Sequence, residues 1–388
     1  MGGNYSNQSA EAIYPLIKMT NVGRGSIDLT KIEYISAGVQ PDDEDRLQFG
    51  DLLFNTRNTL ELVGKVAVWR NELPRAYYNS NLMRLEFKRE EIVSSFFANY
   101  VLNSRGCISR LSTLATGTTS VAAIYTRDLL QMPVPVPPLP EQRAIAAALS
   151  DVDALISLLD RLISKKRAVK TAAMQQLLTG KQRLPGFNGE WEVKRLGDFA
   201  EINSGGTPSS NVTDFYDGNI PWVSISDMTK RGKYIVSTDR SLTEKGLANS
   251  AARMFPEGTV LYAMYASIGE CSIAAVDLCS SQAILGIRPN RFLNSHYLYF
   301  LLVSKKEEVK TLGQQGTQAN LNAGMVKDFA VPIPSLEEQT AIAGVLSDMD
   351  AEIEALEARR EKTRRIKQGM MQELLTGRTR LGNEGESE

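Results

Sequence analysis

The chain has 388 residues, with 44 basic and 45 acidic side chains, one histidine and three cysteines. Its length accommodates two or three domains with real cores, while a formal net charge of −1 argues against a strong free-standing nucleic-acid binder, because Lys and Arg supply most non-specific affinity for phosphate. With no run of eighteen apolar residues, no apolar leader core and no metal-ligand spacing among Cys107, Cys271 and Cys279, the sequence indicates neither a membrane span nor secretion, and a reduced cytoplasm fits best.

Residues 1 to about 13 read as a polar leader. Strand-like runs follow at Tyr14–Met19, Asp51–Phe54, Val63–Trp69 and Leu82–Phe87, with a helical stretch near Ile92–Leu102. They make residues 1–133 a first globular segment. A second, residues 188–330, has strand-like Ile220–Ser224, Val260–Ala266 and Ser272–Val276 and a helical stretch near His296–Val309. Weak echoes link the two: Tyr14-Pro15-Leu16-Ile17 with Ile220-Pro221-Trp222-Val223, Gly50 to Phe54 with Gly258 to Tyr262, and Gly117-Thr118 with Gly316-Thr317. The stretch from Trp191 through Gly205-Gly206-Thr207-Pro208 has no visible counterpart before Tyr14, so the first segment reads as trimmed.

After each globular segment comes a stretch that the chain contains twice. Residues 134–187 and 331–381 align without a gap, Gln142 with Gln339 and Gly180 with Gly377, with about half of the positions identical. Each opens on prolines (Pro135, Pro137, Pro138; Pro332, Pro334), which disfavour helix before them. A helix then starts near Glu141 or Glu338. Ile145, Leu149, Val152, Ile156, Leu159 and Ile163, and Ile342, Leu346, Met349, Ile353 and Leu356, recur at steps of four and three, the pattern of a coiled-coil seam. Glycines at 180 and 377 stop the helices. Two helices of about 40 residues, roughly 60 Å each, predict an antiparallel pair holding two α/β domains apart about a pseudo-twofold axis; the weaker expectation is that each helix docks only on its own globular neighbour. The tail, residues 382–388, is acidic and reads as disordered.

No catalytic constellation can be assembled. His296 is the only histidine, Gly205-Gly206-Thr207 lacks the lysine of a phosphate loop, and the Asn-Pro-Pro-aromatic signature of adenine-methylating enzymes is missing. Two similar helical modules suit two copies of one partner. Two divergent globular modules suit two different elements along one axis, as in a DNA target with two half-sites.

In these residues the chain resembles the specificity subunits of Type I restriction-modification systems. The resemblance rests on Pro137-Pro138-Leu139-Pro140-Glu141-Gln142 with Ile145, on Leu177-Leu178-Thr179-Gly180, on the second copies Ser335-Leu336-Glu337-Glu338-Gln339 and Leu374-Leu375-Thr376-Gly377, and on Gly205 to Pro208 with Ile220 to Val223. It implies two target recognition domains that read a bipartite DNA site, and conserved spacer helices that fix the unread gap and bind two methyltransferase subunits. Chemistry would belong to the partners, using S-adenosylmethionine in the modification subunits and ATP and Mg in the restriction subunits, with no cofactor on this chain.

Base reading uses Arg for guanine, Asn or Gln for adenine, and Ser or Thr for either. The candidate loops contribute Asn55, Arg57 and Asn58; Thr118, Thr119 and Ser120; Ser209, Ser210 and Asn211; Lys230, Arg231 and Lys233; and Thr317, Gln318 and Asn320. Each is equally readable as a solvated loop, and Trp222 and Tyr262 read as core. Candidates for the methyltransferase interface are Pro137, Pro138, Leu139, Glu141, Gln142, Pro334, Leu336, Glu338 and Gln339. The rival function is a coiled-coil adaptor that joins two proteins and reads no DNA.

Overall fold

The computed structural model describes residues 1–88, 90–92, 94–313 and 321–381. The chain divides into two compact units, Met1–Asp160 with Ala358–Glu388, and Arg161–Glu357. Both long helices, Leu139–Leu177 and Leu336–Leu374, contribute to both units.

In the first unit, Leu52–Asn55 is flanked by Val66–Val68 and Leu82–Leu85, both antiparallel. Leu52, Phe54, Val66 and Val68 are fully buried with Ala98, Leu102 and Leu111 from the helices Ser95–Leu102 and Arg105–Leu114. A second sheet places Pro15–Ile17 between antiparallel Glu33–Ile35 and parallel Tyr77–Tyr78. The second unit repeats these pairings. Val260–Ala263 lies between Cys271–Ala274 and Ile284–Pro289, and Tyr216–Val223 lies between antiparallel Arg240–Leu242 and parallel Cys279–Ser280. Two of the echoes in the sequence are therefore structural, with Leu16 facing Tyr77 as Trp222 faces Cys279, while Gly316-Thr317 of the third lies outside the described residues. Trp222 and Tyr262 are buried core residues.

The second unit has one segment more. Glu192–Arg195 pairs antiparallel with Ala330–Ile333, and after a short turn Ala200–Ser204 pairs with Ile284–Pro289. Leu196, fully buried, joins the two strands.

Each unit pairs one helix's first half with the other's last half. Ion pairs run antiparallel in both: Asp153 to Lys367 and Asp160 to Arg360 in the first, Lys166 to Glu352 and Arg183 to Glu338 in the second. The seam is not purely helix on helix. Ile145 and Leu149 pack with Leu374 and Leu375 but also with Phe97, Tyr100 and Cys107 of their globular neighbour, and Ile342 and Leu346 sit in the same core as Met174, Leu178 and Tyr297. Farther along, Val152, Ile156, Met349 and Leu356 are half-buried, while Leu159 and Ile353 are buried. Met349 still packs against the core of the second unit. Both helices stop as expected, with Gly180 and Gly377 at φ of 69° and 71°, a left-handed conformation that glycine adopts without penalty. No helix is long and apolar enough to cross a membrane among the described residues.

Candidate nucleic-acid interface

Two candidate loops of the first unit converge. Arg57–Asn58 pairs with Ala122–Ala123, which pairs with Thr116–Gly117 (Ala122 opposite both Asn58 and Gly117). This small sheet carries the loop Thr118–Thr119–Ser120 beside Arg57 and Asn58, and the Leu60 amide donates to the Thr119 carbonyl at 3.2 Å. The loop is exposed throughout, as is Arg57. Gly117 makes the tight turn possible: its φ is 133°, and a Cβ there would meet the Val121 carbonyl at 2.3 Å. Asn55, by contrast, is fully buried, and its side-chain oxygen accepts from the Arg57 amide at 3.2 Å. It shapes the corner from beneath.

In the second unit the candidates stand apart. Ser209, Ser210 and Asn211 are exposed, on a loop whose preceding glycines are tightly packed: a Cβ on Gly205 would meet Ser280 at 2.2 Å, and one on Gly206 would meet Ala251 at 2.2 Å. Lys230 and Arg231 both close on Asp239, whose carboxyl the Lys230 ammonium holds below its usual range. Lys233 turns inward. Its ammonium bonds Ser347 at 3.2 Å and Asp350 at 3.5 Å and lies 4.3 Å from the Phe300 ring centroid; burial pushes its pKa down against the pull of Asp350. Thr317, Gln318 and Asn320 lie outside the described residues. Sequence reasoning passed over Arg240, whose guanidinium stacks 4.4 Å from the Tyr216 ring centroid and 5.1 Å from that of Trp222.

The proline lead-ins hold a duplicated set of contacts. Gln142 donates to the carbonyls of Glu91 and Pro137 at 2.7 and 2.9 Å, and Gln339 to those of Phe292 and Pro334 at 3.0 and 2.9 Å. Both glutamines are fully buried. Glu141 receives Arg380, and Glu338 receives Arg183 together with the Trp191 indole N–H. Of the residues considered for a methyltransferase interface, these four and Pro334 are buried in the fold, Pro137 and Leu139 are half-buried, and Pro138 and Leu336 face outward. Asp153 and Asp350 complete the set: Asp153 receives the Tyr100 hydroxyl at 2.7 Å and Lys367 at 2.6 Å, and Asp350 receives Lys170 and Lys233. The signal for these pairs was in the sequence, since Lys170 and Lys367, and Asp153 and Asp350, occupy equivalent positions of the two repeat copies.

Comparison with known proteins decides the family. The model of the Type I restriction modification DNA specificity domain matches residues 4–165 and again residues 188–364. The chain belongs to this family. Among its relatives is a Methanocaldococcus jannaschii protein named as a type I restriction enzyme MjaX specificity subunit, 26% identical over 381 residues, with 95% of this chain and 88% of the relative covered. The Escherichia coli EcoR124I/EcoR124II specificity subunit is 26% identical over 233 residues, 57% of this chain and 55% of the relative. The fold is that of the solved Type I restriction-modification S subunit from M. genitalium, at a TM-score of 0.58 and 15% identity over 96% of this chain and 93% of that one. A Type I specificity subunit is non-catalytic and recognises DNA sequence within its restriction-modification complex. The adaptor that reads no DNA is not favoured by two matches to a DNA specificity domain. Among the described residues no group of three His, Cys, Asp or Glu could hold a metal ion, and all three cysteines are buried and free.

Proposed function

We propose that the two globular segments, residues 1–133 and 188–330, each read one half of a bipartite DNA site, and that the helical segments 134–187 and 331–381 set the unread gap and hold two methyltransferase subunits. The observation that carries this reading is the duplication itself. The helical contacts are repeated pair for pair, Glu141 with Arg380 and Glu338 with Arg183, while the exposed loops around Arg57 and around Asn211 share no residue pattern. Identical docking features suit identical partners, and divergent loops suit different base sequences. In the first half the reading surface is Arg57, Asn58 and the Thr118–Ser120 loop; in the second it includes the Ser209–Asn211 loop. Adenine methylation with S-adenosylmethionine, and ATP- and Mg-dependent cleavage, fall to the partner subunits.

The test is to co-express the chain with its cognate methyltransferase subunit and map methylated adenines across a genome by single-molecule sequencing. A split motif with a constant gap is expected. A stable complex that adds no methylation would refute the reading.

A further inference from the structure

The cations around the second unit's candidate loops are mostly neutralised within the fold. Lys230 and Arg231 close on Asp239, Lys233 on Asp350 and Lys245 on Asp214. Arg240 differs. It is exposed, and among the described residues no carboxylate lies within ion-pair distance of its guanidinium.

It is nonetheless held in place. Arg240 stands opposite Trp222 in the antiparallel pair of Arg240–Leu242 with Tyr216–Val223, so the two side chains share a face of the sheet. The Tyr216 and Trp222 rings meet edge to face at 84°, centroids 6.4 Å apart, and form a corner. The guanidinium carbon lies in it, 4.4 Å from the first centroid and 5.1 Å from the second. Thr238 fixes the backbone, its hydroxyl donating to the Arg240 carbonyl at 2.6 Å and accepting from the Trp222 amide at 3.2 Å. The same two rings carry the neighbouring loop: the Trp222 indole donates to the Gly206 carbonyl at 3.0 Å and the Tyr216 hydroxyl to the Pro208 carbonyl at 2.6 Å, immediately before Ser209–Asn211. One aromatic pair therefore positions both Arg240 and the exposed loop.

The first unit fills the same register position differently. There Pro15 faces Tyr34 and Leu16 faces Glu33, as Pro221 faces Ser241 and Trp222 faces Arg240, so Glu33 is the counterpart of Arg240. Glu33 is already engaged, receiving the Lys18 ammonium at 2.9 Å and the Asn7 side-chain amide. One position thus carries a paired carboxylate in one unit and an unpaired guanidinium in the other, a divergence suited to two different half-sites.

We infer, on the reading that residues 188–330 contact one half of the DNA target, that Arg240 reads a guanine in that half. Contact with ring faces engages the flat faces of a guanidinium and leaves its in-plane N–H donors free. Arginine has donors only, and guanine alone presents two acceptors, O6 and N7, side by side in the major groove, whereas adenine sets one acceptor beside a donor. A lysine point charge serves for phosphate, but a planar fork ordered before DNA arrives loses less freedom for each hydrogen bond it forms.

The test is to co-express the full chain, as wild type, R240A or R240K, with its cognate methyltransferase subunit, and to map methylated adenines genome-wide. The wild type should require a G·C pair at one position of one half-site. In both variants the preference for that pair should fall about tenfold to a hundredfold, with the other half-site and the gap unchanged. R240K keeps the charge, and it carries the test if R240A does not fold. A wild-type motif retained in R240K, relaxation at an A·T pair, or uniform weakening of all sites would overturn the inference while leaving the split motif standing. A wild type that yields no split motif would overturn the underlying reading as well, which separates the two failures.

Discussion

The Arg380 guanidinium grips Glu141 with Nε at 2.7 Å and Nη2 at 2.6 Å, tying the last described turn after one long helix to the first turn of the other. The Glu141 side chain is only 7% exposed, and the hydrogen bonds from Arg380 hold its carboxyl below the usual carboxylate range. A folded-state pKa that is lowered contributes stability above the unfolded value, near 4.3, and loses it as pH falls through the folded value. Above the unfolded value this contribution is therefore constant, and it is lost progressively as pH falls below it toward the lowered folded value. An R380A variant is expected to melt lower than the wild type at pH 7, by a difference that shrinks as pH falls below the unfolded carboxylate value; a difference that does not shrink in acid would show that the pair is not the cause.

Gln142 and Gln339 each serve two backbone carbonyls from a fully buried position. Truncation leaves those acceptors unsatisfied, at about 1–3 kcal/mol per site. Urea unfolding of Q142A and Q339A should show losses of that size, and a loss under about 0.5 kcal/mol in either would mean water replaces the amide.

Lys233 is on the surface by residue type alone, yet only 11% of its side chain is exposed. Its ammonium fastens the strand Tyr234–Ile235 to the second long helix through Ser347 and Asp350. K233A should lower the melting temperature while leaving the salt dependence of DNA binding by the complex unchanged. If the salt slope drops by about one unit, Lys233 is a phosphate ligand instead.

Arg57 is exposed at the corner shared with the Thr118–Ser120 loop. On a base edge, R57A costs about 1–3 kcal/mol and relaxes sequence preference at one position of one half-site; on phosphate, it weakens all sites alike. Methylation profiles of the variant separate the two, and an unchanged profile would remove Arg57 from the reading surface.

If the helices act as a ruler, inserting four residues in both, about 6 Å of helix, lengthens the preferred gap by about two base pairs at 3.4 Å per step. The methylated motif of the doubled insertion reports this directly, and an unchanged gap would rule out a ruler.

The helices were legible because their signals are local and repeated: the four-and-three spacing from Ile145 to Ile163, proline before the start and glycine after the stop. Leu52–Asn55 and Val260–Ala263 were legible as apolar runs. Short strands such as Ala122–Ala123 and Thr116–Gly117 carry no such run, and the pairing of Ala122–Ala123 with Arg57–Asn58 joins residues more than sixty positions apart. The same holds for burial of polar groups. Glu141 and Gln142 look like an exposed polar turn until Arg380 and Glu91 are brought against them.

The second unit is one uninterrupted stretch, Arg161–Glu357, whereas the first needs both Met1–Asp160 and Ala358–Glu388. Domains fold as units during synthesis, and loop closure must precede the contacts that reward it. The order of maturation is therefore the reverse of the order of translation. Arg161–Glu357 needs only the first half of the second long helix, but Ile145, Leu149 and Glu141 wait for Leu374, Leu375 and Arg380. Until then the earliest-made half holds an uncovered apolar face, and it is the half that a chaperone or a partner subunit has longest to find.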